Sequence, residues 1–418
     1  MRLPVPASMA DRVELHPLQC HEENGEWIVG RPDTGEFVGL PAEAVTFLRE
    51  LQASVSVSAA TRRVLAEHGE DIDGDSFVAD LVDLGFVARV GEESIGDAHA
   101  PPSLPWLQAA HVKWVFNNCV AACLAVFICA CITVAATHGD LALTFHTYFL
   151  TGSPGIDLAW NTVAFLAVVA LHEFWHLAAA RADGVHARIG LGTRLQFLAA
   201  QTTVSGLWGA PRRTRLRVYA AGMISDLVVA SGCLLAILAL PRGGLASRAL
   251  EAVVLGIFLA LAGQFAFFMR TDVYFIAQEL TRCKNLFGDA SAYALYLCRR
   301  TVVRFRAEPP PADPSLQVPP HERLPVRIYS AFLVIGSLSA LAVFFLYEGP
   351  ILVVLFVKAI QSIAEGIRRG TAAQIADGGL VLCIEGSLQV LLIKMLVRKH
   401  GPKARAWLAR RPRQAVVR

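Results

Sequence analysis

The feature that most constrains this chain is a series of apolar runs, each long enough to cross a lipid bilayer, that begins at Trp114 and recurs almost to the end. A helix rising about 1.5 Å per residue needs roughly 20 mostly apolar residues to cross a hydrocarbon layer about 30 Å thick. In that layer every backbone N–H and C=O must be satisfied within the protein, which leaves helices as the natural form for such runs. Candidate spans are Val112–Ala136, Leu158–Ala180, Leu216–Leu240, Ala249–Met269 continuing towards Leu280, Ile328–Tyr347 and Ile375–Val397. Ile351–Ile367 is shorter and holds Lys358 and Glu365, so it reads as an interfacial helix, a re-entrant segment or a seventh span; six is the number expected. A mean hydropathy of +0.47 agrees with a membrane protein.

Charge sets an orientation. The loop Thr137–Asp157 has no Lys or Arg, whereas the next carries Arg181, Arg188, Arg194, Arg212, Arg213, Arg215 and Arg217. Arg-rich short loops face the cytoplasm, so both termini are expected inside, in a multi-pass protein of the cytoplasmic membrane. No signal peptide is read at the N-terminus. Most of the nine cysteines lie in apolar runs, where Cys acts as a small hydrophobe, so neither a disulfide framework nor a Cys-type zinc site is expected.

The first 97 residues differ in kind: 7 Arg and no Lys stand against 19 Asp plus Glu, a net of −12. Segments "ELHPLQ", "EWIVGR" and "GEFVGL", separated by "EENG" and "PDTG", suggest a β-meander. Helices are predicted at Ala42–Gln52, Ser58–Glu67 and Asp75–Leu84, with "GFVARV" as a closing strand. The sequence therefore predicts an all-α polytopic bundle of about six spans preceded by a small cytosolic α+β, winged-helix-like domain. Its parts are residues 1–97, a linker at 98–111, a core at 112–290, a basic cytosolic loop at 291–327 and C-terminal helices with a basic tail at 328–418. Nucleic acid is excluded as a partner, because −12 would repel phosphates and forfeit the electrostatic attraction that drives such binding.

Chemistry is concentrated in "LHEFWHLAAARADG", residues 171–184, inside an apolar run. Ionisable side chains there are costly and call for a partner or a function. On a helix His172 and His176 share a face and can present nitrogens to one ion, with Glu173 beside them: the HExxH zinc arrangement. The plain alternative is a chance HExxH with both histidines hydrogen-bonded inside the bundle. A catalytic zinc needs a third protein ligand and an open position. Asp272, in "FMRTDVYFIAQEL", meets a depth test: it precedes Arg282 much as His172 precedes Arg181, so both lie roughly 13–15 Å below the inner boundary. Its alternative is a pair with Arg270 or a helix cap.

"HEFWH" on one span with a later Asp on another resembles the site-2 protease class of intramembrane zinc metalloproteases. The closer likeness is to the subgroup of peptide zinc metalloproteases with a Pro-Arg-rich helix entry, an Ala-Gly-Pro-x-x-Asp stretch and an Asp-Gly-Tyr-Tyr stretch. Here these read "WGAPRRTRLRVYAAGMISDL" and "RTDVYFIAQELTRCKNLFGDA", over roughly residues 112–290. Met223 stands where that family has Pro, and Val273 where it has Gly; glycine would ease an unwound backbone beside the third ligand. The resemblance implies one Zn2+ per chain held by His172, His176 and Asp272, Glu173 as general base, and Asp226 facing the site to position substrate or water. The alternative for Asp226 is a polar residue bonded between helices. It also implies that residues 187–209 form a β-hairpin offering an edge to an extended peptide.

The order of three strands, three helices and a strand in residues 11–90 resembles the PqqD-like domains that recognise leader peptides of ribosomally made, modified peptides. The expected function is hydrolysis of a peptide bond in a membrane-associated peptide or transmembrane helix, with a leader peptide as possible ligand of the N-terminal domain and membrane lipid around the bundle. The alternatives are regulated proteolysis of a membrane-anchored signalling factor, or a catalytically silent protein that binds or exports a peptide. The arginines of "CRRTVVRFR" suit an amphipathic helix on anionic lipid, while Glu385 and Lys394 read as an interhelical pair and an end charge or as part of a gate.

Overall fold

The structure is a computed structural model that describes residues 12–23, 26–31, 37–53, 56–70, 72–91, 93–95, 103–137, 144–194, 197–204, 207, 209–306 and 312–409. Contacts divide the chain into two compact units. The first comprises residues 1–117, 176–189 and 202–218, and the second residues 118–175, 190–201 and 219–418.

The N-terminal part of the first unit is a small α+β fold. Strands β1 (Val13–Leu15), β2 (Gln19–Glu23), β3 (Glu26–Gly30) and β4 (Phe37–Leu40) precede helices α1 (Ala42–Gln52), α2 (Val57–His68) and α3 (Gly74–Asp83), and β5 (Val87–Val90) and β6 (Glu93–Ser94) follow. "ELHPLQ" is not one strand of the meander. Pro17, which has no N–H to give a ladder, divides it. Val13–Leu15 joins a β1-β5-β6 sheet, and the meander is β2-β3-β4 with Cys20, Val29 and Val38 in one cross-strand row. The turns expected at Asn24–Gly25 and Pro32–Gly35 lie outside the described residues.

The three helices match their predicted spans to within a residue because apolar residues recur at helical spacing: Ala44, Val45, Phe47, Leu48 and Leu51 on α1, Val57, Ala60 and Val64 on α2, Val78 and Leu81 on α3. These close over Val13, Val29, Phe86 and Val87 to make one core. Gly69 ends α2 at φ 71°, and Asp73 starts α3 by accepting from the Ser76 N–H at 3.1 Å.

The segment read as a linker is tied down where it is described. Ser103 accepts from Arg181 Nη2 (3.4 Å) through its carbonyl and from the Ile189 N–H (3.0 Å) through its hydroxyl. Helix α4 (Ala109–Val112) follows, and the first span α5 starts only at Asn118 and runs to Thr137. The expected start at Val112 is overturned by side chains that take the carbonyls a helix would use: Trp114 Nε1 donates to His111 O (2.9 Å) and Asn117 Nδ2 to Trp114 O (2.5 Å).

Among the described residues six helices are long and apolar enough to cross a membrane: α5, α6 (Pro154–Ala182), α7 (Arg212–Ala239), α8 (Leu245–Gly263), the run Pro320–Arg369 and Ala372–Arg398. Strands β7 (Arg188–Arg194) and β8 (Phe197–Thr203) separate α6 from α7 as a two-stranded sheet. The expected continuation of the fourth span towards Leu280 does not occur. After α8 come a 3₁₀ turn at Phe267–Met269, a left-handed Arg270 (φ 56°) and a separate α9 (Asp272–Thr281), then α10 (Leu286–Arg306).

Helix α11 (Pro320–Val343) passes through one π turn (Phe344–Glu348) into α12 (Gly349–Arg369), so the segment at Ile351–Ile367 is a prolongation of the fifth candidate span. Pro350 explains the π turn, since it cannot donate to the carbonyl four residues back. Helix α12 packs antiparallel against α13 (Ala372–Ala409) through small residues: a Cβ on Gly378 would lie 2.5 Å from Ala359 O. Asp377 of α13 in turn accepts from the Gly155 N–H (2.7 Å) and Ser153 Oγ, satisfying the start of α6 from another helix.

Candidate metal centre

Helix α6 is regular across the HExxH stretch, which sets His172 and His176 one turn apart on one face. Both are buried, as is Glu173 on the same turn. Asp272 is the first residue of α9. His172, His176 and Asp272 each offer one ligand atom, and the three atoms lie within 4.8 Å of one another. His172 Nε2 and Asp272 Oδ2 are 3.0 Å apart. Glu173 is not among the three converging groups.

The other ring nitrogens decide what the imidazoles can do. His172 Nδ1 lies 2.7 Å from Asp226 Oδ2, and His176 Nδ1 lies 2.7 Å from Val218 O. A carbonyl oxygen only accepts, so Nδ1 of His176 carries a hydrogen and an ion at the centre would meet its Nε2; both ring nitrogens of His172 face carboxylate oxygens, and with the Nδ1 hydrogen given to Asp226 its Nε2 and Asp272 Oδ2 would turn to the ion together. This is the outer-shell pattern typical of metal-ligating histidines. Two imidazole nitrogens from buried histidines and a carboxylate oxygen of the half-buried Asp272 converge as a donor set that fits a divalent ion. Asp226, on α7, therefore meets the ring of His172 on the side away from Asp272.

The turn that delivers Asp272 is held by a residue the sequence reading did not single out. Gln264, capping α8, accepts from the Asp272 N–H through Oε1 (3.1 Å), and its carbonyl accepts from Thr271 Oγ1. The left-handed residue is Arg270, two positions before the carboxylate, while Val273 lies within regular helix. The concern raised by the missing glycine is thus resolved, since a β-branched residue is tolerated in a helix at small cost. The Arg270 guanidinium sits over the Phe275 and Phe287 rings at 5.8 and 5.3 Å, which offsets part of the strain of its backbone.

Behind α9, Tyr274 and Tyr329 pack with Val326, Leu286 and Ala290; Tyr329 Oη donates to Phe267 O (2.9 Å) and the Phe287 N–H donates to Tyr274 Oη (3.0 Å). Tyr219 of α7 stacks on Phe275 of α9 at 5.2 Å. The ligand-bearing helix is thereby wedged against α7, α10 and α11. Gln264 could have been noticed as a polar residue ending an apolar run, whereas the Val218 carbonyl, a backbone group, leaves no mark in the sequence.

Compared with protein-family models, curated proteins and solved structures, the chain shows no match.

Proposed function

We propose that the protein is an intramembrane zinc metalloprotease that hydrolyses a peptide bond in a membrane-associated peptide, processing a ribosomally made precursor. The observation that carries this reading is the convergence of His172, His176 and Asp272 within 4.8 Å, with both histidine Nδ1 atoms already engaged. Two imidazole nitrogens and one carboxylate oxygen suit zinc in a hydrolytic site, which takes three protein ligands and a water. When bound, the ion supplies Lewis acidity, activating water and polarising the carbonyl under attack. Glu173 takes the proton from the attacking water and hands it to the leaving amine. Asp226 and Val218 O hold the imidazoles in the orientation the site needs, and burial keeps bulk water away. The β7–β8 sheet presents an edge along which a peptide can lie extended, which hydrolysis requires.

In this proposal the six helices cross the cytoplasmic membrane with both termini inside, as the arginines from Arg181 to Arg217 favour. The N-terminal domain holds a leader peptide as a strand added to its meander.

The test is metal analysis and mass spectrometry on the purified chain. One zinc per chain that is lost in His172→Ala, together with a defined new peptide terminus that disappears in Glu173→Gln, is the expected result. Metal retention with no cleavage of any candidate precursor would favour a silent peptide-binding protein. Turnover persisting in Glu173→Gln would remove that residue from the chemistry.

A further inference from the structure

Arg217 occupies a position that the proposed chemistry does not use. It immediately precedes Val218, whose carbonyl orients the His176 ring at 2.7 Å. Its guanidinium holds two other parts of the chain at once. Nη1 donates to Phe116 O (3.3 Å), Cζ lies 5.8 Å above the Phe116 ring, and Nη2 pairs with Asp183 just past the end of α6. Phe116 closes the segment that joins the N-terminal fold to α5, and the other end of that segment is pinned at Ser103 by Arg181 and Ile189. The N-terminal fold is itself seated nearby, with the Phe37 ring so close to Gly209 that a Cβ there would clash with it. Every one of these residues belongs to the first compact unit.

The Arg217–Asp183 pair is about a third exposed on each side, so as an ion pair it contributes little to stability. Its geometry does more, because a planar fork that bonds a carbonyl, a carboxylate and a ring face fixes direction as well as distance. These contacts tie the 103–117 segment to Arg217, and the carbonyl of the next residue, Val218, accepts from the His176 ring.

We propose that Arg217 is a positioning residue that transmits the seating of the 103–117 segment to His176, so that the N-terminal region regulates metal binding at the candidate centre. This rests on reading that centre as a metal site. Removing an outer-shell support of a histidine ligand weakens metal binding about tenfold or more.

The test uses the full-length chain in detergent with Co2+ as probe, following its ligand-field absorption and its loss to a chelator. Arg217→Ala and Phe116→Ala should each alter the absorption bands and speed Co2+ loss about tenfold, and Arg217→Lys, which keeps the charge but not the fork, should fall between. Phe116→Ala leaves α7 intact and decides the matter should Arg217→Ala not fold. Wild-type bands and loss rates in Phe116→Ala and in any folded Arg217→Ala, even with a lowered melting temperature, would overturn the proposal, since a purely structural role predicts that outcome. A wild-type chain that takes up no Co2+ would overturn the metal reading and this proposal together, whereas uptake insensitive to both variants overturns this one alone.

Discussion

Replacing Asp226 separates two jobs that its carboxylate could do. The 2.7 Å contact to His172 Nδ1 is buried on both sides, with side-chain exposures of 10% for the histidine and 4% for the aspartate. Asp226→Asn keeps the shape and one acceptor oxygen but loses the charge, whereas Asp226→Ala leaves the Nδ1–H with no acceptor in a dry site. A buried donor left unsatisfied costs about 1–3 kcal/mol, and each 1.4 kcal/mol is a factor of ten in an equilibrium constant. Metal affinity should therefore fall about tenfold in the Asn variant and towards a hundredfold in the Ala variant, in line with other outer-shell substitutions. Competition with a chromophoric zinc chelator on the purified, detergent-solubilised chain measures this, with His172→Ala as the reference for a lost ligand. Unchanged affinity in both variants would refute the reasoning. Were cleavage to slow while affinity held, Asp226 would instead act on substrate or water, the role first expected from the sequence.

The remaining predictions are structural. Val273→Gly should lower stability by no more than about 0.5 kcal/mol and leave metal affinity alone, because the position is an ordinary one in the first turn of α9; a melting curve beside a zinc titration checks both. Gly378→Val should disrupt the α12–α13 contact, since a Cβ there meets Ala359 O at 2.5 Å, and a wild-type melting temperature would show that the helices do not pack this way. Asp377→Ala removes the acceptor for Gly155 N and Ser153 Oγ and should destabilise α6 by about 1 kcal/mol, read as faster hydrogen exchange at residues 155–158. Phe47→Ala, at the centre of the N-terminal core, should cost about 3–5 kcal/mol and expose Trp27, which packs against that core, to fluorescence quenchers.

What could be read from the sequence was whatever depends on periodicity and on the cost of charge in lipid. The α1 boundaries, the six apolar helices and the HExxH pair follow from those two considerations, and Asp272 followed from counting residues forward to Arg282 as His172 is counted to Arg181. What could not be read depends on competition between local groups or on backbone atoms. "LALAGQFAFFMRTD" is apolar almost throughout, and before Arg270 only the lone Gln264 marks where α8 gives way to a 3₁₀ turn; Gln264 and the rings beneath Arg270 hold the break. The late start of α5 reflects Trp114 and Asn117 bonding to carbonyls that the hydropathy pattern assigns to helix. The division of "ELHPLQ" was the more readable error, because Pro17 stood in plain view.

The left-handed Arg270 has a consequence for how such centres are sought. Where the sharp bend comes two positions ahead of the third carboxylate, the position following that carboxylate is released from any demand for glycine and can drift among ordinary helix residues. A search pattern requiring Asp-Gly would pass over every chain built in this manner. In this chain the acid is placed by the amide of Gln264 closing the preceding span, by Arg270 resting on two aromatic rings, and by its own position at the start of a new helix.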